Sequence, residues 1–223
     1  MLRKHSILLG IIISLSLLFV ATLHYPGGSQ YDKNSIGYDW LNNYLSNLFS
    51  AKAVNGSDNA SRPWAVSGML FLSISFALFF IEFSKKIPPK VPARIIRYCG
   101  AGAMLFTFLA VTPYHDIMVT IAGTMALVSM FYITVFVYRS RLHLLFKILS
   151  TLCLVLFYCA NYVYYTRYHL EILPVLQKTI LFFIITWALC LRYFTTIADF
   201  QTGKNAVIKA NDLHNATGLE DKV

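Results

Sequence analysis

Six long apolar runs, near residues 6–24, 64–83, 95–112, 117–138, 144–165 and 172–194, limit what this chain can fold into more than any other feature. Each approaches the roughly 20 residues that a helix needs to cross a hydrocarbon core of about 30 Å. In lipid a spanning segment must satisfy its own backbone hydrogen bonds, so such runs fold as helices; a β-barrel shows alternating segments of about ten residues instead. Composition agrees: 13% of the residues are charged and 57% hydrophobic, whereas a soluble domain carries about 25% charge. No stretch outside the runs is long enough for a separate soluble catalytic domain. The expected fold is all-α, a polytopic six-helix transmembrane bundle over 1–198. A cytoplasmic tail of mixed charge, 199–223, follows, expected to form a short helical extension and then to be disordered.

Orientation follows from the basic residues. Arg3, Lys4, Lys85, Lys86, Lys90, Arg94, Arg97, Arg139, Arg141, Lys147, Arg192, Lys204, Lys209 and Lys222 fall on one side, against Lys33, Lys52, Arg62, Arg167 and Lys178 on the other. Lys and Arg accumulate on cytoplasmic loops, which places both termini in the cytoplasm and three helical hairpins pointing outward. The formal net charge of +9 therefore speaks for topology and anionic lipid headgroups rather than nucleic acid. Pro88, Pro89 and Pro92 are expected to break the link between the second and third spans, and Pro113 to end the third. Arg3 and Lys4 before an apolar run also describe a signal peptide, but no small-residue cleavage site follows, and a retained anchor is expected. Cys99, Cys153, Cys159 and Cys190 all lie within spans, as small packing residues.

The first outer connection, 25–63, is the only long one. Its start, Tyr25 to Gln30, is turn chemistry. From Asp39 to Phe49, Trp40, Leu41, Tyr44, Leu45, Leu48 and Phe49 recur at helical spacing, which predicts a short amphipathic helix with Asp39 at its start. The end, Asn55 to Ser61, is polar, is expected to be flexible and holds two N-x-S sequons, at Asn55 and Asn59.

Candidate chemistry gathers on the outer side. His24, His115 and His169 stand at the outer ends of the spans, with Asp39, Asp116 and Glu171 near them. Three imidazoles with carboxylates are the ligand set of an open zinc site, although none is paired at the i, i+4 spacing that faces two ligands to one metal. Asp116 is placed to complete the orphan N–H groups of the fourth helix. Lys178, about two turns into the sixth span, either snorkels outward or pairs with Asp116 or Glu171. Tyr158, Tyr162, Tyr165 and His169 form a polar stripe that is expected to turn toward the bundle interior, and Gly100, Gly102, Ala103, Ala122, Gly123 and Ala126 to let the third and fourth spans approach closely. Metalloprotease, hydrolase-elbow, P-loop and dinucleotide motifs are absent, and there is no inverted repeat of the kind that builds transporters.

The run Asn43-Tyr44-Leu45-Ser46-Asn47-Leu48-Phe49 resembles the N-Y-I-S-D-L-G element after the first span of the bacterial six-helix membrane family called domain of unknown function 998. Thr112-Pro113-Tyr114-His115-Asp116 is similar to the family's later proline followed by a histidine that opens the next helix. The family is similar in turn to the DRAM-like and FGF-receptor-activating-protein-like membrane proteins. Asn47 and Phe49 depart from its acidic residue and glycine. The resemblance, from about residue 5 to 195, implies a six-span fold and two polar positions, Ser46 and His115. A weaker resemblance, carried by Asp39-Trp40 and Ser46-Asn47, is to the alkaline ceramidase-like hydrolases, but their late H-x-x-x-H pair is missing here.

The expectation is thus a membrane protein that binds lipid, or another membrane subunit, through its outer face. Its ligand-binding candidates are Ser46, His115, Asp116, Tyr162, His169 and Lys178. The alternative is an outward-facing, metal-dependent hydrolase of a lipid amide or ester, with His24, His115 and His169 holding zinc and Asp116 or Asp39 as base beside His115.

Overall fold

The computed structural model describes residues 2–201, with side chains from His5 onward; the tail expected beyond 201 lies outside the described residues. Six α-helices follow in order: α1 (Leu2–Leu23), α2 (Arg62–Ser84), α3 (Lys90–Leu109), α4 (His115–Arg139), α5 (Leu144–Thr166) and α6 (Leu173–Phe194). By length and composition five of them, all but α3, can cross a membrane, and the chain is a multi-pass membrane protein. In α3, Lys90, Arg94 and Arg97 crowd the first two turns. This helix also begins five residues before the apolar run that announced it. Pro92 does not break the link: it sits in the first turn of α3, where a helix has no internal use for the missing N–H.

Successive helices pack as neighbours from α1 to α6, and α6 returns to α2, so that α2 to α6 enclose an interior while α1 lies against α2. The half of that interior at the end expected to be cytoplasmic, the inner half, is solid. Phe79, Phe83, Trp187, Leu191, Ile133, Val137 and Ile96 are buried together, with Phe79 edge-on to Trp187 at 5.6 Å. Trp187 Nε1 donates to Ser150 Oγ at 2.9 Å, which ties α6 to α5 where no water competes. After α6 the chain turns through a 3₁₀ helix (Ala198–Phe200), where a short helical extension was expected, and sets Phe200 against Phe83.

Lys86 caps this inner end. Its Nζ donates to the carbonyls of Leu191, Arg192 and Thr195 and to Thr195 Oγ1, at 2.8–3.1 Å. Leu191 and Arg192 belong to the last turn of α6, whose carbonyls have no helical partner. Burial, with Arg192 nearby, lowers the Lys86 pKa from 10.5 to about 8, so the ammonium keeps its proton at neutral pH. Replacing Lys86 with methionine is expected to cost about 2 kcal/mol at neutral pH, because carbonyls are left without a donor. The folded pKa lies below the unfolded one, so between about 8 and 10.5 the unfolded chain binds the additional proton and wild-type stability rises with pH. Thermal unfolding in detergent across that window is expected to show the rise in wild type and a flatter profile in Lys86→Met.

Candidate functional site

The outer half of the same interior is hollow. A cavity of about 320 Å³ runs between α2, α3, α4, α5 and α6 from the outer helix ends down to Met130 and Trp187. His115 and Met130 mark its extent along α4, fifteen positions or about 22 Å at 1.5 Å per residue. The cause is visible in side-chain size. Where the inner half presents phenylalanine and tryptophan, the outer interior positions are Ala110, Ala122, Gly123, Ala126, Ala160 and Ser73, which reach too short a distance to meet across the bundle. The third and fourth helices do pack closely, as the small residues of both predict, but not every one of those residues faces the other helix. Gly102 does meet Met125 of α4, but Gly100 admits Phe80 of α2, and Gly123 admits the Asn161 amide of α5.

The long outer loop forms the roof. Asp39 to Phe49 is not one helix. A turn is closed by Asn43 N–H donating to the Asp39 carbonyl at 2.8 Å, and a separate 3₁₀ helix (Leu45–Phe49) follows. The Asp39 Oδ1 caps that turn by accepting from the N–H groups of Leu41 and Asn42. Its carboxyl is held below the usual carboxylate range by the Asn42 amide first, then by those N–H groups and by Lys178. The apolar spacing seen in the sequence is used, but for a cover: Leu45, Ser46 and Phe49 face the cavity, and Leu48 is buried against α1 and α2.

Two asparagines hold this roof in place. The Asn43 side chain is fully buried; its Nδ2 donates to the Gly28 carbonyl and its Oδ1 accepts from Asp39 N–H, both at 2.8 Å. Asn59 donates from Nδ2 to the carbonyls of Asn47, Leu48 and Ser50, and its Oδ1 accepts from Ser61 N–H. The segment expected to be flexible is therefore ordered, and the Asn59 sequon is engaged inside the loop while Asn55 stays exposed. Gly28, at φ +82°, brings the loop backbone so close to Asn55 that a Cβ would collide with its N–H.

The roof is fastened to α6. Lys178 Nζ donates to the Asn43 carbonyl at 2.6 Å and to that of Pro174 at 2.8 Å, and lies 5.6 Å from the centre of the Tyr38 ring. It pairs with neither Asp116 nor Glu171. Tyr44 OH donates to the Leu170 carbonyl, and Leu45 N–H to Gln177 Oε1. An ammonium at this depth donates to a carbonyl of the loop that covers it, which gives a lysine within a span its partners.

Of the expected site residues, Ser46 and His115 line the cavity. His115 bonds the Ala110 carbonyl through Nδ1 at 2.7 Å and so closes the α3–α4 turn. Asp116 does not cap α4 with its side chain; its two oxygens accept from Tyr164 OH at 2.6 Å and from Arg167 at 3.4 Å, both at the outer end of α5. Arg167 ends α5 at φ +57°, a strained position for a side chain with a Cβ, stacked 4.8 Å from the Tyr164 ring. The tyrosine stripe is corrected. Tyr158, Tyr162 and Tyr165 are exposed on the outside of the bundle, although Tyr165 OH still donates across to the Thr120 carbonyl of α4 at 3.2 Å, as the stripe was expected to do. Tyr162 does not line the cavity. Inward-facing positions are offset from the stripe, at Phe157, Ala160, Asn161 and Tyr164.

The three histidines do not converge. His24 bonds the Val20 carbonyl beside Trp64, His115 bonds Ala110, and His169 bonds Glu171 Oε1 at 2.9 Å. Among the described residues no group of three or more His, Cys, Asp or Glu side chains is placed to hold a metal ion. Zinc on His24, His115 and His169 therefore lacks its assembled ligand set. Asp39 and Asp116, the proposed bases, are committed to Asn42 and to Tyr164 with Arg167 respectively.

Asn161, which the sequence places beside the tyrosine stripe, and Tyr164, Gln177 and Ser73, to which it gives no site role, supply most of the remaining polar groups around the cavity. Ser73 is 5% exposed, and its Oγ has no hydrogen-bond partner. No family model matches the chain, and no curated protein or solved structure is significantly similar to it.

Proposed function

We propose that this is a six-span membrane protein with both termini cytoplasmic, which holds a lipid in the outer half of its bundle beneath the 24–61 loop. One observation carries the reading: a deep cavity walled almost entirely by apolar side chains, roofed by a purpose-ordered loop and floored by a solid core. Its volume lies in the range of small-molecule pockets, roughly 300–1,000 Å³, and its length suits an extended chain. Ser46 and His115, the two positions singled out by the family resemblance, stand on its wall. The α3 helix crosses too, since it packs along α2 and α4, and its basic first turns reach the inner surface.

Lipid carried through purification tests the function. Mass spectrometry of the purified protein is expected to find a chain-bearing species close to one per protein; protein that is lipid-free after mild extraction contradicts the reading. Topology is tested separately in a chain whose four cysteines are replaced. A membrane-impermeant maleimide is expected to label Ser57→Cys on intact cells and Arg141→Cys only after permeabilisation. The opposite pattern overturns the orientation.

A further inference from the structure

Resting on that reading, we infer that the cavity selects an uncharged, single-chain lipid bearing hydroxyl and ester groups, of the monoacylglycerol kind, and excludes chains with an ionised headgroup. None of the side chains lining the cavity is Asp, Glu, Lys or Arg. The nearest charged groups are engaged elsewhere: Lys178 on the Asn43 and Pro174 carbonyls, Asp116 on Tyr164 and Arg167. An ionised phosphate or carboxylate entering here would lose its water without meeting a counter-charge, which a site of low polarity does not tolerate.

The polar groups that do line the cavity are hydroxyls, amides and one imidazole, and those bearing on a headgroup stand at two depths. At the rim, His115 uses Nδ1 on the Ala110 carbonyl, so Nδ1 carries a proton and Nε2 is the ring nitrogen left for a headgroup hydroxyl, which can give or take the bond. Gln177 uses Oε1 on Leu45 N–H, which leaves its Nε2 as a donor. A headgroup with hydroxyls both gives and takes hydrogen bonds and satisfies this pair. Deeper, on α2, Ser73 lines the cavity, while its hydroxyl, packed beside the cavity rather than open to it, has no protein partner. An unpartnered buried hydroxyl is costly, and a turn of the Ser73 side chain toward the cavity would let it donate to an ester oxygen below the headgroup. Beneath Ser73 the wall is Phe76, Phe80, Met130, Ile184 and Trp187, fit only for hydrocarbon.

Trp187 supplies the test. With Trp40→Phe and Trp64→Phe it becomes the only tryptophan of the three in the chain, and at 1% exposure it is shielded from bulk lipid. The probes are a monoacylglycerol brominated near its chain end and the same molecule carrying a phosphate on the glycerol. The glyceride is expected to quench Trp187 at a concentration at least ten-fold below that of the phosphate. Equal quenching by both overturns the selectivity while leaving a lipid cavity in place; quenching by neither overturns both. Ser73→Ala removes a hydroxyl that bonds nothing in the protein, so thermal stability is expected to be unchanged or higher while glyceride affinity falls about five-fold. Unchanged affinity removes Ser73 from the site.

Discussion

Replacing Asn43 with alanine is expected to lower the unfolding free energy by about 3 kcal/mol and the melting temperature by about 10 °C. Asn43 is fully buried at the point where three parts of the outer loop and α6 meet. Its side chain satisfies the Gly28 carbonyl and the Asp39 N–H, while its own carbonyl receives Lys178 and Tyr38 OH. Alanine strands a donor and an acceptor under the loop and opens a void beside them, each a named source of loss. The roof would then rest on Tyr44, Leu45 and Asn59, and lipid retention is expected to fall with stability. The neighbouring Asn42 provides the control: its amide meets only Asp39 Oδ2 at the loop surface, and Asn42→Ala is expected to cost under about 1 kcal/mol. Thermal unfolding of the two variants in one detergent distinguishes a keystone from a merely polar loop; equal losses would contradict the assignment.

How much of this was legible in the sequence follows from what each inference needed. The helices were legible, because a run of about 20 apolar residues leaves the backbone no other solution in lipid; five of the six starts fall within a few residues of the runs that predict them. The start of α3 was not, since Lys90, Arg94 and Arg97 mask a helix that hydropathy alone begins too late. Ser46 and His115, singled out by a motif, line the cavity. Tyr162 was misread because period gives a stripe but not its phase: the tyrosines took the lipid-facing side, and Asn161 and Tyr164 took the inside. The loop was misread in its local geometry. Its apolar spacing is real, but Asn47 Oδ1 accepts from Tyr44 N–H and starts a 3₁₀ turn, and Asn43 draws the preceding residues into a turn of their own. No local pattern announces the cavity, which arises from small residues on α2, α4 and α5 and just after α3 that only the fold brings together. Convergence of His24, His115 and His169 was likewise a question of tertiary structure, and the three bond to separate partners.

The largest functional effect is expected from filling the cavity. Ala126 is buried on α4 with its methyl on the cavity wall, and a phenylalanine there would occupy space that the protein does not use. Excluding about four methylenes of a bound chain, at roughly 0.8 kcal/mol each, removes about 3 kcal/mol of binding, over a hundred-fold in affinity. Stability is expected to change little, because overpacking is costly only where density is already high. Val128→Phe is the matched control: same helix, same added bulk, but an exposed site on the opposite, lipid-facing side. The direct test is native mass spectrometry of wild type, Ala126→Phe and Val128→Phe after identical extraction, with melting temperatures measured alongside. A cavity that holds lipid predicts a bound chain on wild type and Val128→Phe, and none on an equally stable Ala126→Phe. Lipid retained equally by all three would place it outside the bundle and contradict the account.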